Sequence, residues 1–202
     1  MNKKIIISIV LIILILCVAL FSKKESGSGD AGTLSYKNTT NGLSFVYPKD
    51  SVLITNSEEM KATGYFPTCN NETGFACIYF ASSTYPHSNF SSSGISFNAI
   101  KTAKNESECM AVNPYERERV ADTDINGIIF ATFNAGDAAM SHQSSGTDFR
   151  TFHNNTCYEI TTRINSSTYE VYPEGSIVKF TEEDMLTLSI KLLTIIKSVT
   201  LQ

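Results

Sequence analysis

Residues 125–163 read INGIIFATFNAGDAAMSHQSSGTDFRTFHNNTCYEITTR, and three runs within them decide the fold. Ile128–Phe133, Phe149–His153 and Cys157–Arg163 are rich in aromatic and β-branched residues, the composition of strands. Asn154-Asn155 is a turn former between the last two. The three runs predict an antiparallel meander. Its interior is filled by Ile128, Phe130, Phe149, Phe152, Tyr158 and Ile160, or by their opposite-face neighbours. Between the first two runs lies Ala135–Gly146, small and polar apart from Met140 and His142. It reads as a long loop, and loops of that length are often functional.

Outward from the meander the same alternation recurs. Leu34–Tyr36 and Leu43–Tyr47 flank Asn41-Gly42, a hairpin signal, and Pro48 ends the second strand. Ile78–Phe80 and Ile95–Ala99 are further strands, separated by a polar loop at 82–93. Asn105-Glu-Ser-Glu108 is a capping box, predicting a short helix through Cys109 and Met110 that Pro114 forbids from continuing. Thr181 caps a closing helix, with Glu182, Glu183 and Asp184 in its first turn and Lys191 and Lys197 late, as the helix dipole favours. Met185, Leu188, Leu192 and Ile195 make one stripe, and Leu186, Leu193 and Ile196 lie beside it, so a wide apolar face is expected to lie on a sheet. Val199–Leu201 adds an edge strand. Many strands, few helices and no βαβ alternation give an α+β fold: an antiparallel β-sheet with helices packed on its faces.

The N-terminus reads differently. Residues 5–21, IIISIVLIILILCVALF, are apolar at every position but Ser8. As a helix this run spans roughly 26 Å, close to a hydrocarbon core of about 30 Å. Lys3 and Lys4 before it outweigh the net charge of Lys23, Lys24 and Glu25 after it, which orients the N-terminus to the cytoplasm and the rest outward. The expected organisation is an N-terminal membrane anchor or signal over 1–22, a Gly/Ser-rich flexible linker over 23–33, and an extracytoplasmic α+β domain over 34–202. The chain is single-pass in the cell membrane, or secreted if the segment is cleaved. A lipid attached through Cys17 is disfavoured because Leu16 stands where a small residue is needed.

Export makes sense of the other four cysteines. Cys69, Cys77, Cys109 and Cys157 form an even set with no CxxC spacing, a disulfide pattern rather than a zinc site. Cys69 and Cys77 close a short turn-rich loop, which leaves Cys109 with Cys157. Asn-x-Ser/Thr triplets begin at Asn38, Asn71, Asn89, Asn105, Asn154 and Asn165 and mark polar surface segments. With 42% apolar and 18% charged residues the chain is neither disordered nor fibrous. From Ala31 onward, 12 Lys and Arg face 18 Asp and Glu, a net of −6. That balance excludes nucleic acid as a partner, because phosphate binding needs clustered cations.

Four elements together resemble a known family: Tyr36-x-Asn38 with Asn41-Gly-Leu-Ser-Phe45-x-Tyr47-Pro48, Ile125-Asn-Gly-Ile128-x-Phe130, Cys157-Tyr-Glu-Ile160, and the closing helix before a short strand. The chain over 34–202 resembles the PsbP-like superfamily, and within it the small exported bacterial members of unknown function. The resemblance implies the α+β fold. It carries no activity, and no residue here matches a metal or photosystem contact.

Catalytic chemistry is sparse. His87, His142 and His153 are widely separated, so a shared metal site is not expected, and no cofactor is implied. Ser141, His142 and Asp137 are triad residue types without a nucleophile-elbow pattern. Glu116–Arg119 alternates charge as the solvent face of a strand does, and Asp122 and Asp124 are turn formers rather than a calcium loop. The chain is therefore expected to be no enzyme. It reads as a membrane-tethered binding or accessory domain with a possible envelope protein partner. The alternative is an envelope enzyme whose site is assembled from residues distant in sequence. If a partner binds, the 135–146 loop, with Asp137, Met140 and His142, and the 154–155 hairpin are expected to carry part of the contact, because rigid scaffolds place recognition on loops.

Overall fold

The computed structural model describes residues 32–60, 65–69, 73–111 and 116–202. The apolar run at 5–21, the linker before Gly32 and Asn71 lie outside the described residues. No helix among those described is long and apolar enough to cross a membrane.

Among the described residues, ten strands form two antiparallel sheets. β1 (Thr33–Asn38), β2 (Leu43–Pro48) and β10 (Thr200–Leu201) make a small sheet in the order β1-β2-β10. The large sheet runs β3 (Val52–Ile54), β4 (Gly74–Ala81), β5 (Phe90–Ile100), β9 (Thr156–Ser167), β8 (His142–His153), β7 (Ile128–Ala139), β6 (Glu116–Ile125). Short helices α1 (Ser57–Met60) and α2 (Glu106–Cys109) join the early strands, and α3 (Glu182–Lys197) comes late. The fold is α+β, as the alternation of the sequence requires.

Period-two geometry sorts the strand residues. Ala76, Ile78 and Phe80 of β4, Ile95 and Phe97 of β5, Phe149 of β8 and Tyr158, Ile160 and Ile164 of β9 are buried in one cluster with Phe130. The small sheet adds Leu43, Phe45 and Tyr47, and α3 adds Leu188, Leu192, Ile195 and Ile196. Phe45 stacks on Phe97 at 4.0 Å between ring centres, nearly parallel, and so joins the two sheets. Each of the four buried α3 side chains contributes roughly 1.5–3 kcal/mol by leaving water. Of the six residues expected inside, Phe130, Phe149, Tyr158 and Ile160 are buried here and Ile128 packs against them. Phe152 lies with the other cluster, beside Cys109 and Cys157, because it is three residues from Phe149 and strands alternate by two.

The helix ends follow their caps. The Thr181 hydroxyl accepts from the Asp184 N–H, and the Asp184 carboxylate accepts from the Thr181 N–H at 2.9 Å. Asn105 caps α2 by accepting from Glu108 N–H at 2.9 Å, while the Glu108 carboxylate reaches Lys104 N–H at 2.8 Å. The apolar face of α3 is narrower than the sequence stripe. Leu186, Ile190 and Leu193 are exposed, and so is Met185, because a cylinder rests on a sheet along one line of side chains.

The second face of the large sheet is polar and also buried. On β5, β8 and β9 the alternate positions carry Ser96, Asn98, Asp148, Arg150, Glu159 and Thr161, all buried. Arg150 donates to Glu159 Oε1 through Nε at 2.9 Å and Nη2 at 2.7 Å, and through Nη1 to the Ala111 carbonyl at 2.6 Å. Asn98 donates to Glu159 Oε2, and Arg163 pairs with Asp148. Both disulfides form on this side, Cys69–Cys77 under β4 and Cys109–Cys157 between α2 and β9, with S–S 2.03 Å each. They hold the α1 and α2 segments over the sheet.

Three expectations change. The Ala135–Gly146 stretch is no loop. β7 and β8 run in register from Ala131↔Arg150 to Ala139↔His142 and meet in a two-residue turn, Met140-Ser141. Both residues have positive φ, 48° and 64°, the backbone of a type I′ hairpin. Its composition misled because Gly136 and Gly146 are required by packing. A Cβ on Gly136 would lie 2.7 Å from the Ser144 carbonyl oxygen, and one on Gly146 would collide with that of Thr162. Second, the 140–141 and 154–155 turns close opposite ends of β8, so twelve strand residues keep them roughly 35–40 Å apart. They do not form one surface. Third, Asn89 and Asn165 are buried rather than on surface segments. Asn89 donates to the Ser167 carbonyl and accepts from Phe180 N–H, so its side chain is a bracket between segments.

Candidate functional site

The residues singled out from the sequence fall in different places. Asp137 is exposed on β7, and its carboxylate accepts from Ala138 N–H. Met140 stands at the turn with 83% of its surface exposed. His142 begins β8, opposite Ser167 of β9. Of the three, only His142 lines a cavity among those described. No hydrogen bond among those the structure shows links Ser141, His142 and Asp137, and the described residues hold no cluster of three metal-ligating side chains. His153 lies at the far end of β8, and His87 sits in the connection before β5 with φ of 59°. Asp124 accepts from Gly127 N–H in the β6–β7 turn, whereas Asp122, expected at a turn, lies within β6 and pairs with Arg119 of the same strand.

What the structure assembles around His142 was not visible in the sequence. The Tyr65 ring stacks on His142 at 4.5 Å between centres, 15° from parallel, and Phe66 meets Tyr65 edge-on at 5.1 Å. These rings, with Tyr79 of β4, wall a cavity of about 150 Å³ whose floor is Ser91 and Ser92 of β5 and Asn165 and Ser166 of β9. Among the described residues, no Lys, Arg, Asp or Glu lines it.

The wall is held from below. Asn165 Nδ2 donates to the Phe66 carbonyl at 2.9 Å, to Thr68 Oγ1 at 2.9 Å and to Ser92 Oγ at 3.1 Å. The Cys69–Cys77 bridge fastens the same segment to β4. Gly94 lets it lie flat, since a Cβ there would be 2.8 Å from the Thr68 methyl and 2.3 Å from the Ile78 carbonyl oxygen. Asn165 is 3% exposed, yet its Oδ1 has no hydrogen-bond partner. A buried acceptor left unmade costs about 1–3 kcal/mol, so this is a strained point of the site.

Two other cavities are less selective. One of about 310 Å³ lies between α3 and strands β8 and β9, lined by Phe149, Ile164, Leu192, Leu193 and Ile196 with small polar neighbours. Another of about 360 Å³ lies at the opposite end, around Asn41, Lys101, Asn154, Tyr158 and Gln202. The aromatic cavity alone of these three combines ring walls with a buried acceptor lacking a partner. Sequence reading singled out neither Tyr65 nor Phe66, although two aromatics between Gly64 and Pro67, close to a bridged cysteine, were a usable sign of an ordered aromatic segment. Asn165 was hidden inside a triplet read as surface.

No protein-family model and no curated protein matches the chain. Among solved structures it is similar to cyanobacterial PsbP (CyanoP) from Synechocystis sp. PCC 6803, with 14% identity and a TM-score of 0.44 over 88% of this chain and 96% of that one. It is also similar to the Saccharomyces cerevisiae Ran-binding protein Mog1p, with 9% identity and a TM-score of 0.42 over 85% of this chain and 96% of that one.

Proposed function

We propose that this protein is a membrane-tethered, extracytoplasmic binding module, and that its contact surface is the end of the large sheet carrying Met140, His142 and Tyr65. The observation that carries the binding reading is the Tyr65–His142 wall: two rings stacked at 4.5 Å, one of them half exposed, beside a cavity with no charged side chain among its described lining residues. Such a surface offers contact area at little entropic cost and lacks an acid, base or nucleophile arranged for chemistry. Two disulfides and the apolar run at 5–21 support placement outside the cytoplasm, where thiols oxidise. The resemblance of the 34–202 sequence to small exported bacterial members of the PsbP-like superfamily agrees with that placement.

Protease added to intact spheroplasts tests the topology: the domain is expected to be digested, and a protected domain overturns the placement. A photo-crosslinking side chain at Met140, in the same cells, tests the surface. It is expected to capture an envelope component that the same side chain at Ile129, exposed at the opposite end of β7, does not. Equal capture from both positions refutes the assignment of this surface.

A further inference from the structure

We infer that the cavity walled by Tyr65, Phe66, Tyr79 and His142 is a subsite for a neutral carbohydrate ring. The inference rests on the binding reading above and names its ligand class. Three observations lead to it. The walls are aromatic, and the stacked Tyr65–His142 pair leaves outer ring surface free, Tyr65 being 52% exposed, on which the C–H face of a pyranose ring can lie. The floor is hydroxyl and amide, from Ser91, Ser92, Ser166 and Asn165, a match for a ligand rich in hydroxyl groups. No Lys, Arg, Asp or Glu is found among the described lining residues, which suits a neutral ligand.

Charge narrows the class. A phosphate, carboxylate or ammonium entering the cavity would lose water and find no opposite charge among the described lining residues, a large penalty. Phosphorylated sugars and nucleotides are therefore disfavoured. Size narrows it further, because about 150 Å³ holds one ring rather than an extended chain, so a longer glycan would present a single residue here. A lone ring of that size binds with a Kd on the order of 1 mM. Repetition along a surface glycan would raise the avidity of tethered copies.

The test is titration of the detergent-solubilised full chain with methyl glucoside and methyl N-acetylglucosaminide, followed by NMR of the Asn165 side-chain amide and the His142 ring. Either glycoside is expected to shift both signals with millimolar saturation. Affinity should be unaffected by salt, as befits an uncharged site. Tyr65→Ala is expected to weaken it about tenfold. Tyr65 is 52% exposed, so the variant keeps the core, and an unchanged thermal transition verifies that. Glucose 6-phosphate and glucosamine should bind more weakly than the neutral glycosides.

The inference is overturned if neither glycoside shifts the two signals, if Tyr65→Ala binds as well as the parent, or if a charged derivative binds as tightly. Saturation by adenosine but not by the glycosides overturns it in favour of a flat heteroaromatic ligand. Digestion in spheroplasts without glycoside binding removes this inference and leaves the exported module standing. Glycoside binding by a domain protected in spheroplasts does the reverse.

Discussion

Replacing Met140-Ser141 by Asn-Gly should stabilise the protein. The two residues close the β7–β8 hairpin with φ of 48° and 64°, a region where an L side chain crowds its own carbonyl. Each non-glycine residue held there costs roughly 1–2 kcal/mol, less for Asn. The chain cannot relax the turn by slipping, because Thr168 N–H donates to the Ser141 carbonyl at 2.7 Å and Ala139 is paired with His142. Removing the Met140 side chain forfeits little burial, since 83% of it is exposed. Glycine at 141 gives back about 0.5–1 kcal/mol through the freedom it adds to the unfolded chain. The net is a gain of roughly 1 kcal/mol, which for a domain of this size raises Tm by about 2–4 °C.

Urea unfolding of the full chain with disulfides intact measures the effect: the midpoint should rise while the m-value stays constant. Met140→Val is the opposing arm. A β-branched residue at positive φ is a genuine outlier, so the midpoint should fall. An unchanged or lowered midpoint for Asn-Gly, or a neutral valine, would refute the strained type I′ turn and with it the reading of 128–153 as one continuous hairpin.

Serine at both Cys109 and Cys157, which close a 48-residue separation, should cost about 4 kcal/mol in the chain-entropy model, against roughly 2.5 for the eight-residue Cys69–Cys77 pair. Denaturant midpoints of the two double variants give the order, and equal losses would count against it. Glu159→Leu leaves the Arg150 guanidinium buried without its carboxylate and should destabilise by about 3–5 kcal/mol, while joint replacement of Arg150 and Glu159 by apolar residues should cost much less. A joint variant as unstable as the single one would show that shape rather than charge pairing governs the site. The Asp184 carboxyl is held below its ordinary value by the backbone N–H of Thr181 first and its hydroxyl second. A lowered folded pKa stabilises above the unfolded value near 4 and is lost as pH falls through the folded one. The stability difference between the parent and Asp184→Asn should therefore shrink as pH drops below about 4, and a difference that stays constant from neutrality to pH 3 or so would break the argument.

The sequence alone determined what depends on neighbours along the chain. Alternation at 43–47 and 95–99, the Asn41-Gly42 turn, and the Asn105 and Thr181 caps are local chemistry, and each element stands where that chemistry puts it. The cysteine pairing was legible for a related reason, since one pair was close in sequence and the other followed from it. Tertiary structure decided the rest. Gly136 and Gly146 look like loop residues until strands β7, β8 and β9 come so close that a Cβ at either position is excluded. Ser96, Asn98, Asp148, Arg150 and Glu159 look like a solvent face until the tertiary fold buries them, pairing Arg150 with Glu159 and Asp148 with Arg163. The aromatic cavity is the furthest from local reading. Tyr65, Tyr79, His142 and Asn165 are scattered across 101 residues of sequence, and only the register of β5, β9 and β8 places them on one rim. A pattern read along one chain reports which side of a strand a residue occupies, but what covers that side is set by segments far away in sequence.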